Sequence, residues 1–195
     1  ILDKENLEST TAEVFESLDT GASKTENFVS KYQGLIISSV IIITTVVFTY
    51  LAYNKFILEP KKEDATTELN QAQYYFNLAL SSEDSKDLFG NAINGGGGKF
   101  GFLDIIENYD NTPSSNLAVF SIGMSYLNLN KYDKVIEYLK DFESQDILLS
   151  SIVQGVLGDA YLQLGDQKSA LQSYEKATSL NENNFTTPKY LYKAG

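Results

Sequence analysis

Hydrophobic and polar positions divide the chain into three stretches of different character. Residues 1–33 are mostly polar, with Val14, Phe15 and Leu18 on one side of a short turn that Thr10 and Glu13 would open as a capping box. From Gly34 to Tyr53 the chain reads GLIISSVIIITTVVFTYLAY, and no charge occurs between Tyr32 and Asn54. Beyond Pro60 the apolar residues recur at helical spacing, glycine and proline mark the breaks, and almost no alternating strand pattern is present. The expectation is an all-α protein: one N-terminal transmembrane helix followed by an α-solenoid.

At about 1.5 Å per residue, residues 34–53 would cover about 30 Å, the hydrocarbon thickness of a bilayer. Tyr32, Tyr50, Tyr53 and Phe56 flank the run, with Lys31 and Lys55 just outside it. Aromatic rings and snorkelling lysines are what the two headgroup regions select. The hydroxyls of Ser38, Ser39, Thr44, Thr45 and Thr49 can bond back to the helix's own carbonyls or to a neighbouring helix. The run exceeds the usual length of a signal-peptide core and no small-residue cleavage site follows Leu51, so a retained anchor over residues 34–57 is expected. Lysines near its two ends are too evenly shared to fix its orientation.

Before the anchor, residues 1–33 form a short acidic segment that is too short to fold alone. Two readings stand: a disordered tail, or an amphipathic helix docking Phe15 and Leu18 on a membrane partner.

Within the last stretch one spacing occurs twice. Val119, Ile122, Gly123 and Tyr126 precede Val135, Leu139 and Phe142; Gln154, Leu157, Gly158 and Tyr161 precede Ala170, Tyr174 and Ala177. Gly123 and Gly158 lie 35 residues apart, and Asn130 and Gly165 share one turn position. This resembles the tetratricopeptide repeat, a helix-turn-helix unit with a period of about 34 residues. The glycine lets the first helix approach the second, the tyrosine fills the seam, and the second helix closes on the next repeat. Gln154 departs from the pattern, which usually has a large apolar residue there.

Helix pairs are expected at residues 114–128 with 131–142 and 150–163 with 166–180. They fall within repeats at residues 113–149 and 150–187, with helix starts at Thr112-Pro113 and Thr187-Pro188. Residues 188–195 would begin a further repeat, with Leu191, Ala194 and Gly195 in register. Residues 60–112 read as a degenerate repeat and N-terminal cap, pairing residues 63–80 with 100–109 around an insert at 81–99. A chain that begins at Ile1 and ends in mid-repeat is expected to be part of a longer protein.

Composition narrows the chemistry. There is no Cys, His or Trp, and all 15 basic residues are lysine. An imidazole base, a thiolate nucleophile, a disulfide and the usual zinc sites are therefore excluded. With a net charge of −11 and no arginine fork, nucleic acid is not an expected partner. Asn94-Gly95-Gly96-Gly97-Gly98-Lys99 fails as a phosphate loop, because Ile93 stands at the first glycine position, Phe100 follows the lysine and no strand precedes it. Asp104 and Glu107 lie one helical turn apart, but a solvated helix face explains them. No catalytic, cofactor or metal site is assigned, and a binding module, not an enzyme, is expected.

In tetratricopeptide proteins one face of each first helix lines a concave groove. Here that face selects Leu117, Phe120, Met124, Leu127 and Asn128, then Ile152, Gly155, Asp159, Leu162 and Gln163. The surface is apolar, contains no lysine, and lacks the basic residues of repeat domains that clamp terminal carboxylates. It suits a helix, an extended hydrophobic segment or part of a non-native chain, or it is covered by further repeats.

The order of a short N-terminal segment, an anchor, and degenerate then regular repeats resembles the YfgM-like family of ancillary Sec translocon subunits. The segments TAEVFESLD, GGGGKFGFLDIIENY, GDAYLQLGDQKSALQSYEKA and FTTPKYLYKAG carry the resemblance. It implies a bacterial inner-membrane protein with a cytoplasmic N-terminus and periplasmic repeats. Its implied partners are the lipid bilayer, SecYEG, and periplasmic chaperones or emerging chains. A membrane-tethered scaffold of envelope biogenesis or cell division is the alternative.

Overall fold

The computed structural model describes the backbone of residues 2–180 and 182–195, and the side chains of residues 28–180 and 182–195. It is all-α: among the described residues there are helices and turns and no strand, only an isolated bridge between Gly96 and Lys99. The chain divides into two units, Ile1–Phe56 and Ile57–Gly195.

The first unit is the helix α1, Leu2–Tyr53. One helix near the N-terminus is long and apolar enough to cross a membrane. Leu35, Ile42, Ile43 and Phe48 are each more than 60 % exposed. In water such a surface would be costly at about 25 cal/mol per Å²; in lipid it is not. The backbone polar groups are satisfied within the helix, as hydrocarbon demands. Ser38 and Ser39 donate to the Leu35 carbonyl at 3.0 and 2.8 Å, and Thr45 donates to that of Ile41 at 2.8 Å. The proposed capping by Thr10 and Glu13 and the docking face of Phe15 and Leu18 lie outside the described side chains.

A π-helical turn, Asn54–Leu58, precedes α2, Glu59–Ser81. Pro60, expected as a break, instead occupies the first turn of α2. A proline is tolerated there because the amide it lacks would have had no helical acceptor.

The second unit continues with α3 (Lys86–Asn94), α4 (Phe102–Asn108), α5 (Pro113–Asn128), α6 (Tyr132–Leu139), α7 (Ile147–Gln163), α8 (Gln167–Leu180) and α9 (Thr187–Ala194). Helix α2 runs beside α5 in the same direction. Lys61 pairs with Asp110 at 2.8 Å, Thr66 meets Ser114 at 3.1 Å, and Leu69 and Ala72 share a core with Ala118 and Ile122. The insert at 81–99 contains α3, which buries Phe89, Ala92 and Ile93. After α3 the chain makes an excursion through the glycines and returns with the backbone of Gly101 against that of Asn94 and Gly95. Asp104 then accepts the Gly101 amide at 2.9 Å and fixes the start of α4. The residue weighed above as half of an acid pair is a helix cap.

The two regular pairs, α5 with α6 and α7 with α8, repeat the same contacts. Thr112 caps α5 by accepting the Ser115 amide at 3.1 Å, with Pro113 at the first position. Helix α7 starts earlier than expected because Asp146 caps it, accepting the amides of Leu148 and Leu149 at 2.9 and 3.1 Å. Helix α9 differs too. Its cap position is Thr186, and the hydroxyl of Thr187 instead accepts the Asn183 amide at 2.9 Å. Asn130 and Gly165 both adopt the left-handed conformation, at φ 56° and 81°. That conformation lets the amides of Lys131 and Asp166 close on the Tyr126 and Tyr161 carbonyls, both at 2.9 Å.

Packing depends on the helix-crossing glycines. A Cβ on Gly158 would lie 2.5 Å from the Tyr174 ring, and one on Gly123 would collide with Leu139. Around these crossings Val135, Leu139, Val153, Val156, Leu157 and Ala160 form one core, and Ala170, Tyr174, Ala177 and Tyr190 another. Gln154 is buried all the same. Replacing Gly158 with Leu should lower stability by about 1–3 kcal/mol, the range for overpacking. Thermal unfolding followed by circular dichroism checks this; an unchanged Tm would mean that α7 and α8 do not meet through Gly158.

Candidate protein-binding groove

The helix faces that were expected to line one groove separate into three environments. Leu117 packs against the α2–α5 core and also lines a cavity of about 840 Å³ beside Glu143 and Leu149. Phe120, Met124 and Ile152 are half-buried against the core between α5, α6 and α7, and Phe120 lies 6.3 Å from the Phe142 ring. These side chains fill a seam between helices. The position of Gly155 is covered as well, since a Cβ there would collide with the Tyr190 ring. Asn128 is exposed and donates to the Met124 carbonyl at 2.8 Å.

Four of the expected residues do converge. Leu127, Asp159, Leu162 and Gln163 line a cavity of about 510 Å³ together with Asn130, Tyr132, Tyr174 and Lys193. The ends of α5 and α7 supply one wall, the turn after α5 a second, and α8 and α9 the rest. Leu162 is 47 % exposed and gives the cavity an apolar lip.

Its floor is polar. Asp159 accepts the Tyr174 hydroxyl at 2.6 Å and the Lys193 ammonium at 2.7 Å through Oδ2, with Oδ1 also engaged. The same ammonium sits 5.8 Å from the Tyr174 ring centroid. Tyr174 and Tyr190 stack at 6.4 Å and 16°. Burial pushes the Tyr174 phenol well above its ordinary range, and donation to the Asp159 carboxylate adds to the effect. Tyr190 is raised by burial and then by the Asp159 charge. Both phenols therefore stay protonated and neutral.

The surface expected to be free of lysine thus contains Lys193, contributed by the last helix. Sequence reading missed Lys193, Tyr174 and Tyr190 as members of this site because the periodicity of the two full repeats does not say where α9 docks. A usable signal was Gly155: a helix position without a side chain leaves a recess, and Tyr190 fills it.

Comparison with known proteins adds the class. The tetratricopeptide repeat family model matches residues 118–144 and 153–184. The α5–α6 and α7–α8 pairs are thus tetratricopeptide repeats, the unit from which protein-interaction scaffolds are built. No curated protein matches the chain.

Removing the charge of Asp159 tests what holds α9. Asp159→Asn should loosen α9 by about 1–3 kcal/mol, the worth of hydrogen bonds to a charged group. Amide exchange at Tyr190, whose N–H is held by the Thr186 carbonyl at 3.0 Å, should accelerate. Unaltered protection would show that ring packing alone docks the helix.

Proposed function

We propose that this chain is a membrane-anchored adaptor of the bacterial inner membrane that associates with the Sec translocon through SecYEG and engages periplasmic chaperones or emerging secretory chains. The observation that carries this reading is the combination in one chain of a helix long and apolar enough to cross a membrane and tetratricopeptide repeats. An apolar helix of that length selects a bilayer, and such repeats recruit other polypeptides. The resemblance to the YfgM-like subunits supplies the translocon and the orientation: N-terminus cytoplasmic, residues 34–57 spanning, helical unit periplasmic.

Contact with a client falls to the cavity beside Leu127, Asp159, Leu162 and Gln163. Its apolar lip and polar floor suit an extended segment with one apolar side chain. Phe120, Met124 and Ile152 support that wall from behind.

Photo-cross-linking from Ile42 in intact membranes should trap SecY. Products containing only envelope or division proteins would replace the translocon by a structural scaffold. Leu162→Lys should reduce capture of emerging chains with helicity unchanged, because the substitution places a charge on an exposed apolar lip without disturbing the core. Full capture by that variant would remove this cavity from the mechanism.

A further inference from the structure

The chain has a net charge of −11, yet only some of its described lysines pair with a carboxylate. Lys61, Lys134, Lys140 and Lys193 pair with Asp110, Glu137, Asp141 and Asp159. Lys86 and Lys131 do not: among the described residues neither has a carboxylate at ion-pairing distance. They come from elements remote in sequence, the first turn of α3 and the turn between α5 and α6, yet both line one cleft of about 730 Å³.

The rest of the lining suits an anion. Asn91 and Asn94 contribute carboxamides, the latter positioned by donation to the Gly90 carbonyl at 2.9 Å. Tyr126 contributes the ring that holds the Lys131 ammonium 5.7 Å from its centroid. Asp87 is the single carboxylate of the lining, so the described cleft is net positive within an acidic protein. Two lysines in one lining raise the local positive potential, which an anion bound between them would lower. Lysine acts as a flexible point charge, which accommodates a carboxylate without demanding the fixed fork of arginine.

We propose that this cleft between α3 and the α5–α6 turn binds an acidic segment of a partner polypeptide, one carboxylate of which lies between Lys86 and Lys131. The site is separate from the cavity at Asp159 and does not depend on the translocon reading. A lipid phosphate is the less suitable occupant, because the lining is largely polar and offers little apolar surface for acyl chains.

Full-length protein in nonionic detergent should bind a fluorescein-labelled Gly-Glu-Glu-Glu-Glu-Gly peptide, measured by fluorescence anisotropy at low ionic strength. Its glutamine counterpart should not bind. The double variant Lys86→Gln, Lys131→Gln should weaken binding roughly tenfold or more, while Lys134→Gln, Lys140→Gln should change it less than about twofold. Circular dichroism confirms that both variants stay folded. A perturbation of the Asn91 carboxamide resonance on adding peptide to unsubstituted protein is expected as an independent readout. Three results would overturn the site: no peptide binding, equal losses in the two double variants, or binding of phosphatidylglycerol vesicles, but not of peptide, that requires Lys86 and Lys131.

Discussion

The helical unit depends on the closeness with which first and second helices cross at Gly158 and Gly123. Tyr174 lies where a Gly158 side chain would be, so its ring is buried between α7 and α8 and only its hydroxyl reaches a polar partner. Its position determines the rest of that end of the unit. The ring provides a surface on which Tyr190 stacks, and the hydroxyl orients Asp159 toward Lys193. A single missing Cβ is thereby linked to the docking of α9 and to the polar floor of the cavity. Crossings of this kind tolerate little change of volume, because the ring has no second place to go.

The two units solve the problem of apolar surface in opposite ways. In the helical unit each amphipathic helix hides its stripe against a neighbour, and the polar groups released at helix ends are taken up by Thr112, Asp146 and the left-handed turns. In α1 the described apolar side chains from Leu35 to Leu51 are exposed, and even Ser38, Ser39 and Thr45 turn their hydroxyls inward on their own helix. That helix presents little but hydrocarbon from Leu35 to Leu51. Such a surface is long and apolar enough to cross a membrane.

Much of this was legible in the sequence, and for identifiable reasons. The uncharged run announced, by length alone, a helix long and apolar enough to cross a membrane. The repeat showed itself through Gly123 and Gly158, since close crossings admit no other residue, and through Asn130 and Gly165, since the turn requires a left-handed residue. Helix starts at Thr112 and Asp146 are both set by side-chain oxygens; only the first was read, because Pro113 drew attention to it. Helix α3 was missed because it is short and flanked by serines and glycines that read as loop. Its burial comes from packing on α2, a tertiary contact that no local period records. The candidate groove was only partly legible for a similar reason: helical spacing shows which residues share a face, but not how much of that face the next helix covers.

That last point bears on how recognition is arranged in a solenoid this short. The face carrying Phe120, Met124 and Leu127 is the side of α5 approached by α7, so all three are engaged in packing, Leu127 in part only. One step further along, Gly155 cedes its share of the face to Tyr190, and Lys193 neutralises Asp159. What stays accessible is displaced toward the helix ends, where Leu127 and Leu162 border the turns. The second cleft, at Lys86 and Lys131, also lies against the α5–α6 turn. Turn residues answer to backbone conformation and solvent more than to packing, so side chains beside Asn130 can vary without loosening a helix crossing. The accessible clefts therefore sit where the fold constrains side chains least, and the helix faces that define the repeat remain occupied with holding it together.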